Sequence, residues 1–182
     1  DFPVSDGMIS QWKSDALVGG VIDGNYTISS DSFIGPRKIN GNLIVNNNIT
    51  VTLNGTLWVT GNISINNGAN IKLASSYGTN SGLLLSDGHV SVSNGANFAG
   101  SGQAGSSLMV LTTSDCPLSL SCNGNYAMDV SNNVGAVILN AQKGTINMHN
   151  NVGVNAATAN TINFDNNSVI NYVSGLTDVN FT

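Results

Sequence analysis

Residues 39–65 read INGNLIVNNNITVTLNGTLWVTGNISI. The apolar side chains Ile39, Leu43, Val45, Ile49, Val51, Leu53, Leu57, Val59, Ile63 and Ile65 all occupy odd positions. The odd positions passed over, Gly41, Asn47, Gly55 and Gly61, hold residues that turn corners at little steric cost. A period of two is that of a strand with one buried face. The parity continues through Ala69, Ile71 and Leu73, then returns after a Ser- and Gly-rich interruption on even positions: Val90, Val92, Ala96, Phe98, Met128, Val130, Val134, Ile138, Ile146, Met148, Val152, Val154, Ile162 and Phe164.

Alternation alone fits a sandwich or a barrel as well, so self-similarity carries the distinction. Leu-Ile-Val-Asn-Asn at 43–47 aligns with Ile-Ser-Ile-Asn-Asn at 63–67, Val-Ser-Val-Ser-Asn at 90–94, Met-Asp-Val-Ser-Asn at 128–132, Ile-Asn-Met-His-Asn at 146–150 and Ile-Asn-Phe-Asp-Asn at 162–166. The offsets are 20, 27, 38, 18 and 16 residues. The longest is expected to hold two coils plus loops, which leaves a basic rung of 16–20 residues. A rung of that length predicts an all-β fold, a three-sided right-handed parallel β-helix whose strands pair in register about 4.8 Å apart. That register stacks Asn47, Asn67, Asn94, Asn132, Asn150 and Asn166 in one column, where their amides can form a buried ladder. The alternative is a polar turn filler without a ladder.

The chain divides into an N-terminal segment, 1–20, and one solenoid domain, 21–182, with excursions at 74–82, 100–107 and 114–125. In the first segment Ile9, Trp12, Ala16 and Leu17 recur at helical spacing between a Ser5-Asp6 cap and Gly19-Gly20. The spacing predicts a short amphipathic α-helix that closes the first rung, since an open rung exposes core and unpaired strand edges. No comparable lid is legible at Val179-Asn180-Phe181-Thr182. Because the sequence opens at Asp1 with no initiator Met, an export or anchor segment is expected upstream.

Charged residues make up 8% of the chain, and all ten acids are aspartate. A net charge of −5 with five scattered cations argues against nucleic acid, whose phosphates require clustered Lys and Arg. No apolar run approaches the ~18 residues of a membrane span. Cys116 and Cys122 enclose Pro-Leu-Ser-Leu-Ser, and His89 and His149 are remote in sequence. A loop-closing disulfide in an oxidising compartment is therefore preferred over a zinc site or two free thiols.

Any surface chemistry belongs on the outward positions. The motif alignment gives two columns, Ser64, Ser91, Asp129, Asn147, Asn163 and Asn66, Ser93, Ser131, His149, Asp165. The pair His149 and Asp165 is the one chemically suggestive juxtaposition; no nucleophile, Arg clamp or metal set accompanies it. Catalytic, cofactor and metal residues are therefore expected to be none. Gly100-Ser-Gly-Gln-Ala-Gly105 lacks the lysine of a phosphate loop, and the other aspartates lack the spacing of a calcium loop. Trp58 falls out of phase with Leu57 and Val59 and should point outward, as should Ile44. It is either a contact surface or a side chain covered by the N-terminal helix or a neighbouring subunit.

Several stretches resemble a family of secreted surface proteins of candidate-phyla-radiation (Patescibacteria) bacteria: Trp12-Lys-Ser-Asp-Ala16 before Gly19-Gly20, Lys38-Ile-Asn-Gly-Asn-Leu43, Gly55-Thr-Leu-Trp-Val-Thr-Gly-Asn62, and Gly135-Ala-Val-Ile-Leu-Asn-Ala-Gln142 with Gly144-Thr-Ile146. Members of that family carry a pilin-like N-terminal helix ahead of such a solenoid. The resemblance implies export, surface attachment and association with type IV pili. The expected function is a non-enzymatic extracellular or cell-surface module, structural or adhesive. Its expected partners are copies of itself, other surface or pilus subunits, or a glycan or host surface. A polysaccharide-binding or polysaccharide-cleaving β-helix is the alternative, with ice binding a distant third.

Overall fold

The computed structural model describes residues 4–117, 122, 125–135, 137–171 and 181. It holds one helix, α1 (Asp6–Leu17), followed by strands that pair only in parallel among the described residues. The first four rungs each supply three strands. They are β1 (Val21–Asp23), β2 (Tyr26–Ile28) and β3 (Ser32–Ile34); β4 (Arg37–Asn40), β5 (Leu43–Val45) and β6 (Thr50–Leu53); β7 (Leu57–Val59), β8 (Ile63–Ile65) and β9 (Asn70–Leu73); and β10 (Gly82–Ser86), β11 (Val90–Val92) and β12 (Asn97–Ala99). A fifth rung carries β13 (Leu108–Thr112) and β14 (Met128–Val130). The last two described rungs run β15 (Ile138–Met148) into β16 (Gly153–Val154), then β17 (Ala156–Phe164) into β18 (Val169–Ile170).

Like pairs with like from rung to rung, giving three strand columns. The first is β1-β4-β7-β10-β13 and the second β2-β5-β8-β11-β14, and the long strand β15 joins both before passing to β17. The third column is β3-β6-β9-β12, extended to β16-β18 through Gly135, which bridges Asn97 and Gly153. The large all-parallel sheet curls through 311°, the form of a parallel β-solenoid. Leu43, Val45, Ile63, Ile65, Val90, Val92, Met128 and Val130 face the interior at 1% exposure or less. Each such aliphatic side chain contributes about 1.5–3 kcal/mol by leaving water.

Val90 pairs directly with both Ile63 and Met128. The 38-residue offset is therefore one rung carrying two long loops, and not the two coils expected from its length. An excursion leaves no trace in the ladder because it departs and returns at one corner, so spacing alone miscounts rungs.

Two corners explain the asparagines. At the first, the backbone carbonyls of Asn67, Asn94, Asn132, Asn150 and Asn166 accept from the N–H groups of Asn48, Gly68, Gly95, Asn133 and Asn151 at 2.9–3.3 Å. The residue after each motif asparagine adopts the left-handed conformation, with φ of 57° to 69° at Asn48, Gly68, Gly95, Asn133, Asn151 and Asn167. Asn47, Asn67, Asn94, Asn150 and Asn166 expose their side chains and Asn132 is half-buried. The bonds along this column are thus backbone to backbone, and the column does not carry the expected amide ladder. A different asparagine ladder, side chain to backbone, stands at the preceding corner, where Asn25 Oδ1 accepts from Asn42 N–H (2.9 Å), Asn42 Oδ1 from Asn62 N–H (2.8 Å) and Asn62 Oδ1 from His89 N–H (2.9 Å). A glycine precedes each ladder residue. A Cβ at Gly41 would lie 2.5 Å from the Gly24 carbonyl, and one at Gly61 would strike the Asn42 amide.

Helix α1 forms as its pattern predicts: Ser5 caps it by accepting from Met8 N–H (3.2 Å), and Ile9, Trp12 and Ala16 are its buried face. It does not close the first rung, however. It lies along the outside of the first column, with Asp6 paired to Lys143 of β15 (3.1 Å) and Gly19 packed so tightly on the Pro36 carbonyl that a Cβ would overlap it. A twelve-residue helix is about 18 Å long, matching the ~19 Å that four rung steps span. Outward-facing Leu83, Leu85, Met109 and Leu111 are buried beneath Val4, Ile9 and Trp12. Of the stretch 179–182, Phe181 alone is described: it bridges Ser81 and meets the Trp12 ring edge to face at 6.1 Å.

Candidate functional site

The three outer faces differ in what they leave free. On the first, register places Lys38, Trp58 and Leu85 in one line. Trp58 points outward as its parity predicts, but its ring is already occupied. Nε1 donates to Asp87 Oδ2 (2.8 Å), Lys38 Nζ lies 4.4 Å and Lys13 Nζ 5.0 Å from the ring centre, and Lys13 is ion-paired with Asp87 (2.6 Å). Thr113 also donates to Asp87 (2.9 Å). The tryptophan thus fastens α1 to the coil.

The second face carries the line Ser64, Ser91, Asp129, Asn147, Asn163, each residue in register with the next. His149, two residues beyond Asn147, links three rungs. Its Nδ1 lies 3.1 Å from Asp165 Oδ2 and its Nε2 3.0 Å from Asp129 Oδ1. Asn147 Nδ2 donates to Asp129 Oδ1 (2.9 Å) and lies 3.0 Å from His149 Nε2. An imidazolium donates to both carboxylates at once; a neutral ring donates through Nδ1 to Asp165 and accepts from Asn147 at Nε2. In either form both ring nitrogens are engaged within the protein. The pairing with Asp165 is legible in the motif alignment, whereas Asp129 lies on a diagonal of that alignment and escapes a reading by columns.

The third face is an open groove of about 680 Å³. Its floor is the outward line Phe33, Thr52, Lys72, Ala99, each in register with the next. Its wall is built from the excursions. Ser75–Tyr77 forms a 3-10 turn, and the following segment is tied to residues 100–106 by Ser106 Oγ–H to the Asn80 carbonyl (2.7 Å) and Ser101 Oγ–H to the Gly78 carbonyl. Phe33 is 74% exposed, the largest exposed aromatic surface among the described residues. The persistent alternation begins only at Ile39, so Phe33 lies outside the pattern that reveals the rungs. Beneath the excursion, burial pushes the Tyr77 hydroxyl up to about 12, and its oxygen has no hydrogen-bond partner among the described residues.

Cys116 and Cys122 form a disulfide with Cα atoms 5.4 Å apart, as their spacing predicts. It closes the loop beside a polar cleft lined by Asp87, His89 and Asp115. Asp115 lies next to the sulfurs, but sulfurs bonded to each other are not thiolate ligands for a metal. The bridge accords with an oxidising compartment, and no described helix is long and apolar enough to cross a membrane.

These features define a parallel β-solenoid with one helix-covered face, one hydrogen-bonded polar face and one open groove. No protein-family model, curated protein or solved structure matches the chain.

Proposed function

We propose that this chain is a non-enzymatic module of an extracellular or cell-surface structure, a right-handed three-sided rod whose outer faces make structural or adhesive contacts. The observation that carries the reading is the division between a core that stays in register through every described rung and an exterior whose one histidine–carboxylate cluster is held within the protein. His149 is its centre. A general acid or base must present a nitrogen to its substrate, whereas both nitrogens of this ring hold neighbouring rungs together. The disulfide supports an exported location. The resemblance to pilus-linked surface proteins supports other surface subunits, or further copies of the chain, as partners.

Two measurements test this reading together. An antibody against the chain should label intact, unpermeabilised cells, and a reducing-end assay across a polysaccharide panel should detect no cleavage. Turnover that is lost in His149→Ala would replace the module with an enzyme.

A further inference from the structure

A role for the third face rests on the surface-module reading and deepens it. The first face is closed by α1, and the second displays the carboxylates of Asp129 and Asp165. Among the described residues the groove has neither a cover nor a carboxylate in its lining. Asp31, two residues before Phe33, is turned to the corner, where its Oδ1 accepts from Thr50 N–H (2.8 Å). Lys72 is exposed on the groove floor and makes no ion pair among the described residues, while Lys13 and Lys143 are paired and Lys38 sits over Trp58. In a chain of net charge −5, this sets a local positive charge two rung steps, about 10 Å, from an exposed aromatic ring.

We propose that this groove binds an anionic polysaccharide, a uronate-containing chain lying across the rungs. The Phe33 ring stacks on the flat face of one sugar, and the Lys72 ammonium pairs with the carboxylate of a neighbouring one. Phe33 and Ala99 are three rung steps apart, about 14 Å, long enough for a short run of sugar units. Thr52 is already buried among its neighbours, Ala99 is small and half-buried so that the chain can approach the sheet at that end, and Ser101 and Gln103 bring hydroxyl and amide groups to the wall. That wall is held in advance: Ser101 N–H donates to Ser106 Oγ (2.9 Å) and Gln103 N–H to Ser101 Oγ (3.2 Å). Little ordering is then left for binding to impose. Charge and shape argue for this occupant over others. A nucleic acid carries a charge on every unit and requires several clustered cations, whereas the single Lys72 suits a polymer whose carboxylates are spaced. An extended peptide requires a free strand edge, which the described floor offers only at β3, while β6 and β9 are paired on both sides.

The test is affinity electrophoresis and calorimetry of the intact chain with polygalacturonate, alginate and hyaluronan, and with dextran and a cello-oligosaccharide as neutral probes. The wild-type chain should bind at least one uronate polymer, more weakly as salt rises, and should bind the neutral probes at least tenfold less well. Lys72→Glu and Phe33→Ala should each weaken uronate binding by about tenfold or more, the loss of one charge-assisted contact or one stacking platform. Lys143→Ala, on the far side of α1, should leave it unchanged. Both groove side chains are exposed, and a circular dichroism spectrum identical to wild type verifies that each variant folds. Failure to bind any uronate polymer, equal binding of the neutral probes, or binding indifferent to both substitutions overturns the proposal. Any of these results together with surface labelling of intact cells leaves the surface module standing and removes only the groove. Cleavage of a bound polymer removes the non-enzymatic reading and leaves the groove.

Discussion

Replacing Trp12 with alanine separates the helix from the coil it covers. Trp12 is 5% exposed, packs among Leu83, Leu85, Met109 and Leu111, and meets Phe181 edge to face. Truncating a buried aromatic in such a setting costs about 3–5 kcal/mol, of which the ring pair supplies roughly 0.5–1.5 kcal/mol. A helix of twelve residues is marginal by itself, and what remains to hold it is Val4, Ile9, Ala16, the Lys13 ammonium over the Trp58 ring and two ion pairs, Lys13 with Asp87 and Lys143 with Asp6. Part-exposed ion pairs supply at most about 1 kcal/mol each. The expected result is therefore local: α1 detaches while the coil persists. Hydrogen exchange followed by mass spectrometry should show the amides of Asp6–Leu17 losing protection, while those of Val90–Val92 and Met128–Val130 keep theirs. The uncovered leucines should bind a hydrophobic dye. Ser14→Ala, on the exposed side of the same helix, should lie within about 0.5 kcal/mol of wild type. Wild-type protection of α1 in Trp12→Ala would refute the argument, and so would simultaneous collapse of helix and coil.

The corners, the loop, the polar face and the buried phenol each carry an expected outcome. Gly61→Ala should lower the denaturation midpoint by the equivalent of about 2 kcal/mol or more, because the new methyl displaces the Asn42 amide and leaves a ladder N–H unsatisfied; a neutral result would mean that the corner is loose. Reducing Cys116–Cys122 should cost about 2 kcal/mol by the loop-closure estimate for so short a loop, read from denaturant melts with and without reductant. His149→Ala should cost no more than about 1 kcal/mol in the same melts, since the cluster is part-exposed and screened. In an ultraviolet titration, one phenol should ionise near 12 and vanish from that range in Tyr77→Phe. The folded value lies above the ordinary 10, so the unfolded chain releases this proton first. The stabilisation from keeping Tyr77 neutral is complete below pH 10 and is lost as pH rises from 10 towards 12.

The strand columns are legible in the sequence because one inward face imposes parity over most rungs, and self-similarity then selects stacked rungs over facing sheets. Ile138 is the exception, facing outward in register with Met109 while Leu139 and Ala141 face the core. Parity and spacing mislead where geometry depends on what a loop does. The 38-residue offset has the length of two coils, although a loop of any length can leave and rejoin a single corner. The motif asparagines have the spacing of an amide ladder, yet the repeated Gly-Asn pairs at 24–25, 41–42 and 61–62 mark the corner where a missing Cβ lets an amide reach the next rung. The helix is legible in its own residues, but its seat is not. Leu83-Leu84-Leu85 and Leu108-Met109-Val110-Leu111 abandon alternation, the mark of a strand buried on both faces, and they are the sign that something covers the first column. Of the candidate residues, Trp58 and the His149–Asp165 pair are legible from phase, whereas Phe33 and Lys72 become neighbours across a groove only when rungs and excursions are assembled.

Parallel, in-register stacking underlies all three outer faces, and methyl-detected nuclear Overhauser spectroscopy addresses it at a single column. Cross-peaks should join Ile63 to Val90, Val90 to Met128, Met128 to Ile146 and Ile146 to Ile162, with Ile65 joined to Val92 and Val92 to Val130. Stronger peaks from Val90 to Ile65 and from Val92 to Ile63 would mean antiparallel neighbours, and the coil with its three outer faces would be wrong.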